Sequence, residues 1–428
     1  MSWREALAPV RMRRIAVAAP QDALGDVLAL VADAGCVDLD GAAGIEECAD
    51  HAVIRDGVAV VAGWTPAQAV DALSLTLATA GGAVVPLPHP PGAEAPSLLR
   101  GQGLRGSVNP LVETYGTVPY ADVDPAPPAA LAYVLMFGMM FGDAGHGLML
   151  LAVAAMLHAG WPARLTRFRG AWPFVAGAGL ASILFGLLYG EFFGPTGLVP
   201  VLWLDPMSHP ASLLLLALSV GALLLGGAYL LGGVNRWREG GLPLALYSPA
   251  GIAGGATFIG MGVAAGGWYL AETWLTAAGL VTAVTGLGLI LTGFLAEGGG
   301  LTQAVIRSAD VVIRIGANVA SFARLAAFGL THAAIGWIVW KATLGLWPTA
   351  PAFAALVFTA GTLLAFALEA LVAAVQALRL EYYELFSRIF QAEGRPFRPL
   401  RIPLPAKEAP RCPFRHGEGS SPSARLFS

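Results

Sequence analysis

From Pro128 to about residue 390 the chain is a series of long apolar runs separated by short polar connectors, and the first 86 residues follow a different pattern. There, short strand-type runs (Arg14 to Ala18, Val58 to Val61, Ala83 to Val85) alternate with helix-period stretches near 21 to 34 and 66 to 80. This predicts a small α/β domain over 1 to 86. A proline-rich linker and polar pre-membrane segment follows over 87 to 128 (Pro86, Pro88, Pro90, Pro91 and Pro96, then Asp122, Asp124, Pro125, Pro127 and Pro128). Runs long enough to cross a hydrocarbon layer of roughly 30 Å lie near 129 to 158, 171 to 190, 211 to 234, 248 to 270, 274 to 296, 311 to 346 and 352 to 389. They define a transmembrane domain over 129 to 390, with a tail over 391 to 428.

The connectors set the direction of each run. Arg164, Arg167 and Arg169 follow the first run, Arg236 and Arg238 the third, Arg307 the fifth, and several arginines the last, while the intervening connectors lack arginine and lysine. By the positive-inside rule the basic connectors face the cytoplasm. Arg11, Arg13 and Arg14 are followed by only Ile15 to Ala19 before Pro20, too short for a signal-peptide core, so the first domain is expected to stay in the cytoplasm. The first run must then cross twice, with a break at Gly142-Asp143-Ala144-Gly145-His146-Gly147; the alternative is one helix of about 45 Å with an external N-terminus. The expectation is a polytopic α-helical membrane protein of about eight transmembrane helices, the last two long and tilted, with both termini cytoplasmic and a small cytoplasmic α/β domain at the N-terminus.

Composition agrees. Of 428 residues, 56% are hydrophobic and 12% charged, half the roughly 25% typical of a soluble protein, which excludes a water-soluble globule. Nothing suggests a nucleic-acid partner. Cys36, Cys48 and Cys412 make no disulfide framework, Cys412 with His416 is at most half a metal site, and no metal or cofactor site is predicted. No G-x-x-x-x-G-K-[ST] occurs, so no ATP hydrolysis is expected on this chain.

A charge at mid-membrane costs at least about 2.5 to 3.5 kcal/mol, so each one needs a partner, water or a task. The ionisable groups within the runs gather in the first hairpin (Asp143, His146) and the last two helices (Arg314, Arg324, His332, Lys341, Glu369, Arg379, Glu381, Glu384). Asp310 precedes Arg324 by fourteen residues, about 40° around a helix and 21 Å along it, and His332 lies about 80° around and 12 Å further outward. That stripe could border a proton path. In the last run Glu369 and Arg379 are ten residues apart on a common side. The bland alternatives are Arg379 snorkelling to the surface, Arg324 and Glu369 neutralising each other, His332 packing as a hydrogen-bonded core residue, and Asp143 and His146 serving as turn residues.

These residues resemble the membrane subunit of rotary V-type ATPases, called subunit a in eukaryotes and subunit I in archaea and bacteria. NPLVETYGTVPYADVDP (109 to 125), MFGMMFGDAGHG (136 to 147), GLLYGEFFG (186 to 194), ARLAAFGLTHAAIG (323 to 336) and LEALVAAVQALRLEYYELFSRIFQAEGRPFRPL (368 to 400) stand in the family's order and spacing. The resemblance implies a stator subunit of the ATPase membrane sector. Arg324 would face the carboxylates of a rotating proteolipid ring with Arg379 in support, Asp310 would lie in the cytoplasmic half-channel, and Glu369 and His332 in the exterior one. Asp143, His146, Gln376 and Glu381 become further channel-lining candidates. Implied partners are the proteolipid c-ring, the peripheral and central stalks, the catalytic V1/A1 subunits and the bilayer, in a bacterial or archaeal cell membrane. The ring carboxylate that selects H⁺ or Na⁺ lies on another chain.

Three departures stand out. Family members usually carry a far longer N-terminal half with a helical hairpin reaching the stalks, whereas RMRRIAVAAPQDALGDVLALVADAGCVDLD (11 to 40) and VVAGWTP (60 to 66) resemble only its compact core. Gln376 and Glu381 stand where many relatives have histidine. Two rival readings are a secondary transporter acting alone through an Arg324/Glu369 pair and a degenerate subunit paralogue with an assembly role.

Overall fold

The computed structural model describes residues 9–40, 44–89, 94–100, 104–390 and 394–401; Cys412, His416 and most of the predicted tail lie outside them. Two compact units are present: Met1–Asp124 with Gln391–Ser428, and Pro125–Phe390.

The first unit is built on an antiparallel sheet of β1 (Met12–Pro20), β2 (Asp38–Leu39), β3 (Val53–Arg55), β4 (Val58–Pro66) and β5 (Ala83–Pro86), in the order β2-β4-β1-β5 with β3 also on β4. The register pairs Ile15 with Gly63 and Val17 with Val61. Ile15, Val17 and Ala19 alternate along β1 and are buried, as a strand with one covered face requires. They pack on α1 (Leu24–Ala34), whose Leu24, Val27, Leu28, Val31 and Ala32 form one helical face. Gly35 ends α1 at φ 58°, in the left-handed region that favours glycine. Further α-helices among the described residues of this unit are α2 (Ile45–Asp50), α3 (Val70–Ala78) and α4 (Leu104–Tyr115). Cys36 and Cys48 are buried, and neither is in a disulfide among the described residues. The chain returns at residues 394–401, where the Leu400 N–H donates to Val37 and Arg395 approaches both Asp38 and Asp40.

The second unit is helical: α5 (Ala126–Met140), α6 (Ala144–Ala159), α7 (Trp172–Tyr189), α8 (Pro210–Tyr247), α9 (Ile252–Tyr269), α10 (Thr273–Ala296), α11 (Gly300–Ser321), α12 (Ala323–Leu346) and α13 (Pro351–Leu380), the last widening to a π-helical turn over Glu381–Phe386. Among the described residues, five stretches are long and apolar enough to cross a membrane: Ala163–Tyr189, Pro210–Tyr247, Thr273–Ala296, Gly300–Leu346 and Pro351–Ile389. The first apolar run is broken between Met140 and Ala144, giving the short apolar helices α5 and α6. The break fits where the sequence places it, because Gly142 meets the Tyr189 ring so closely that a Cβ would lie 2.7 Å from it.

Two boundaries differ from the sequence reading. The third run does not end before Arg236; α8 continues through it because Arg236 pairs with Glu239 one turn on (2.5 Å) and the Asn235 amide donates to the Ile389 carbonyl (2.9 Å). Its regular geometry fails at Gly240 and Gly241, where φ turns to 73°. Likewise α11 begins at Gly300, so Arg307 is helical and pairs with Glu297 (2.9 Å).

Candidate functional site

The site is assembled where α12 and α13 run side by side against α5, α6 and the loop after α7. On α12, Leu325, Ala326, Gly329, His332 and Ala333 recur on one buried face, which carries the imidazole inward. The ionisable groups pair in two steps. Arg324 places Nη1 3.8 Å from Glu384 Oε1, with about a third of its side chain exposed. Further along α12, His332 Nδ1 is hydrogen-bonded to Glu369 Oε2, and both groups are largely buried.

The pairing bears on one of the alternatives. Arg324 and Glu369 do not neutralise each other; each has a different partner. Because the helices are antiparallel, a position further along α12 than Arg324 meets an earlier position on α13, so His332 reaches Glu369 and Arg324 meets Glu384 in the π-helical turn.

Asp143 anchors the other wall. Its carboxylate caps α6 by accepting from the His146 backbone N–H (2.8 Å) and also accepts from the backbone N–H groups of Phe193 (3.0 Å) and Gly194 (2.7 Å). The Ala144 N–H donates in turn to the Glu191 carbonyl (3.0 Å). These bonds satisfy the exposed donors of a helix start and hold Phe193 at φ 51°, an uncommon value for a non-glycine residue. The turn role set against a channel role for Asp143 is thus filled in full. The tie also brings Glu191 to the site, with its Oε2 4.0 Å from His332 Nε2. His146 lies beside them, its ring 5.4 Å from that of His332 and 5.5 Å from both Phe141 and Phe193.

The remaining candidates are distributed differently. Asp310 is exposed on α11 and pairs with Arg314 one turn on (2.7 Å). Arg379 is exposed near the end of α13, while Gln376 is half-buried with its Oε1 unpartnered. Glu381 is fully buried with both carboxylate oxygens lacking a hydrogen bond. The structure therefore brings together His332, Glu369, Asp143 and His146, pairs Arg324 separately, and leaves Asp310 and Arg379 on outer faces. Sequence reasoning gave no role to Glu191 or Glu384. Glu191 sits in the GLLYGEFFG segment, where a lone carboxylate among glycines and aromatics was the available signal. Glu384 lies fifteen residues after Glu369 on the same run, close to four helical turns, and that spacing was its signal.

The comparisons bear on this arrangement. Residues 52–198 match the family described as the V-type ATPase 116kDa subunit family, a stretch that includes Asp143, His146 and Glu191. The A-type ATP synthase subunit I of Thermococcus kodakarensis is 30% identical over 329 residues, covering 72% of this chain and 48% of the relative. The chain belongs to the V-type ATPase 116 kDa subunit family. A second relative, subunit I of Pyrococcus horikoshii, is 28% identical over 360 residues, covering 78% of this chain and 52% of the relative. The human V-type proton ATPase 116 kDa subunit a 3 is 35% identical over 119 residues, 25% of this chain and 14% of that protein. The chain spans about half the length of the archaeal members it matches.

Proposed function

We propose that the chain is the stator channel subunit of a rotary V/A-type ATPase, guiding protons between the two sides of a membrane and the carboxylates of a proteolipid ring. The observation that carries this reading is the ladder between α12 and α13: a guanidinium on Glu384 and, further along, an imidazole on Glu369, in helices made mostly of apolar residues. The Arg324 guanidinium attracts an ionised ring carboxylate and blocks direct proton passage between the half-channels. Glu369 and His332 serve the exterior half-channel, and Asp310 the cytoplasmic one. The eight-span arrangement with cytoplasmic termini follows from the loop arginines, counting the broken first run twice.

Asp310, Arg314 and Arg379 are exposed on the outer faces of α11 and α13. A charge left in lipid costs about 2.5 to 3.5 kcal/mol, so these faces suit a protein neighbour or water better than acyl chains. Leu364, Leu368, Leu371 and Val375 are also bare along α13 and offer that neighbour an apolar track. The ring is that neighbour, and the stalk and catalytic subunits complete the assembly. The ring supplies the moving carboxylate, so the chain alone should not pump. The test is to place the purified chain in vesicles with an imposed pH gradient, alone and co-assembled with its ring. Flux only with the ring is expected; equal flux from the isolated chain would overturn the stator reading in favour of a self-contained carrier.

A further inference from the structure

We propose that Asp143, His146 and His332, completed by Glu191, form a binding site for a transition-metal dication of the Zn²⁺ type. One ligand atom from each of Asp143, His146 and His332 lies within 4.8 Å of the others, and all three residues are buried. A tetrahedral ion with bonds of about 2.0–2.2 Å holds its ligands about 3.4 Å apart, so the side-chain tips need to close by roughly 1 Å. Glu191 Oε2, 4.0 Å from His332 Nε2, supplies the fourth donor.

The second observation is His146 itself. It is 3% exposed, with the Thr362 backbone as a partner on one side and Asp143 Oδ1 3.8 Å from Nδ1, beyond hydrogen-bond reach, so one buried ring nitrogen is left without a partner. Leaving a buried polar group unsatisfied costs about 1 to 3 kcal/mol, and a bound ion removes that cost. The outer contacts have the form that metal sites require. Glu369 holds His332 Nδ1, which leaves Nε2 free to face inward, and three backbone N–H groups fix the Asp143 carboxylate. Two imidazoles with two carboxylates suit Zn²⁺, Co²⁺ or Ni²⁺ and not Mg²⁺ or Ca²⁺, which take all-oxygen shells. The rings of Phe141, Phe193 and Phe366 stand 5.5, 5.5 and 5.9 Å from that of His146 and hold it in place.

The inference goes beyond the ion-path reading, and its test needs neither ring nor ATP. The purified full chain, in chelator-free detergent, is titrated with Co²⁺ and then Zn²⁺. One Co²⁺ per chain is expected, with the visible absorption of a low-coordinate site and displacement by Zn²⁺. His146→Phe, which keeps the ring packing, and His332→Gln should each weaken Zn²⁺ binding by at least tenfold, while His158→Ala should leave it unchanged. Glu191→Gln serves as a third ligand variant should either histidine variant fail to fold by circular dichroism. No stoichiometric Co²⁺ site, or binding unaltered in the folded ligand variants, would overturn the inference. Proton transport without Zn²⁺ binding would refute the metal site alone, and Zn²⁺ binding without ring-dependent transport would refute the ion path alone.

Discussion

Asp143 shows how much a single side chain can hold together. Its carboxylate satisfies three backbone donors from two segments about fifty residues apart. Asp143→Ala removes a helix cap, worth about 0.5 to 2 kcal/mol, and also leaves two buried N–H groups unpaired. A clear fall in the melting temperature of the detergent-solubilised chain is expected, with Asp143→Asn intermediate; an unchanged melting curve would refute the anchoring role. Asp38 in the first unit behaves oppositely. Burial pushes its carboxyl above the ordinary value, outweighing the Arg398 N–H and the Arg395 guanidinium, which pull it down. An acid raised in the folded state contributes most stability when protonated and loses that contribution as pH rises through its folded value. Asp38→Asn should therefore gain protection relative to wild type as pH rises from the ordinary carboxylate value toward neutrality. Hydrogen exchange in β4 peptides at matched pH checks this, and a loss of protection at neutral pH would mean that the Arg395 pair dominates.

At the scale of elements, the helices of the second unit meet through small residues. Gly260 of α9 and Gly279 of α10 approach each other's helices so closely that a Cβ would lie 2.3 Å from the Ala283 and Ala264 backbone nitrogens, respectively. Gly260→Leu should push α9 and α10 apart and lower thermal stability by several degrees, whereas Gly262→Leu, which faces open space, should not; equal effects at both positions would contradict the packing argument. Much of this level was legible in the sequence. The strands and helices of the first unit fall near their expected runs, and the break in the first apolar run follows from Gly142 and Asp143, which neither continue a helix nor suit lipid. The continuation of α8 past Arg236 was not legible, because it depends on a pair with Glu239 and on Asn235 reaching the distant Ile389 carbonyl. The partners of Arg324 were hidden for a similar reason. A helical wheel gives the face of one helix, and the choice between Glu369 and Glu384 is set by how far two antiparallel helices slide past each other.

For the whole molecule, the proposed ion path rests on the few ionisable groups inside long apolar helices. Their order along α12 and α13 was readable from spacing, while the convergence of Glu191 with His332 needed the fold, because a loop after α7 carries it there. The central claim is that Arg324 is the fixed charge against which a ring carboxylate discharges. Arg324→Ala and Arg324→Lys should leave the subunit assembled at wild-type level in the membrane. The most direct measurement is ATP-driven proton uptake into vesicles bearing the assembled complex. Uptake should fall to background in the alanine variant and nearly so in the lysine variant, since a buried lysine can release its proton where arginine does not. Normal uptake by the Arg324→Ala complex would contradict the account.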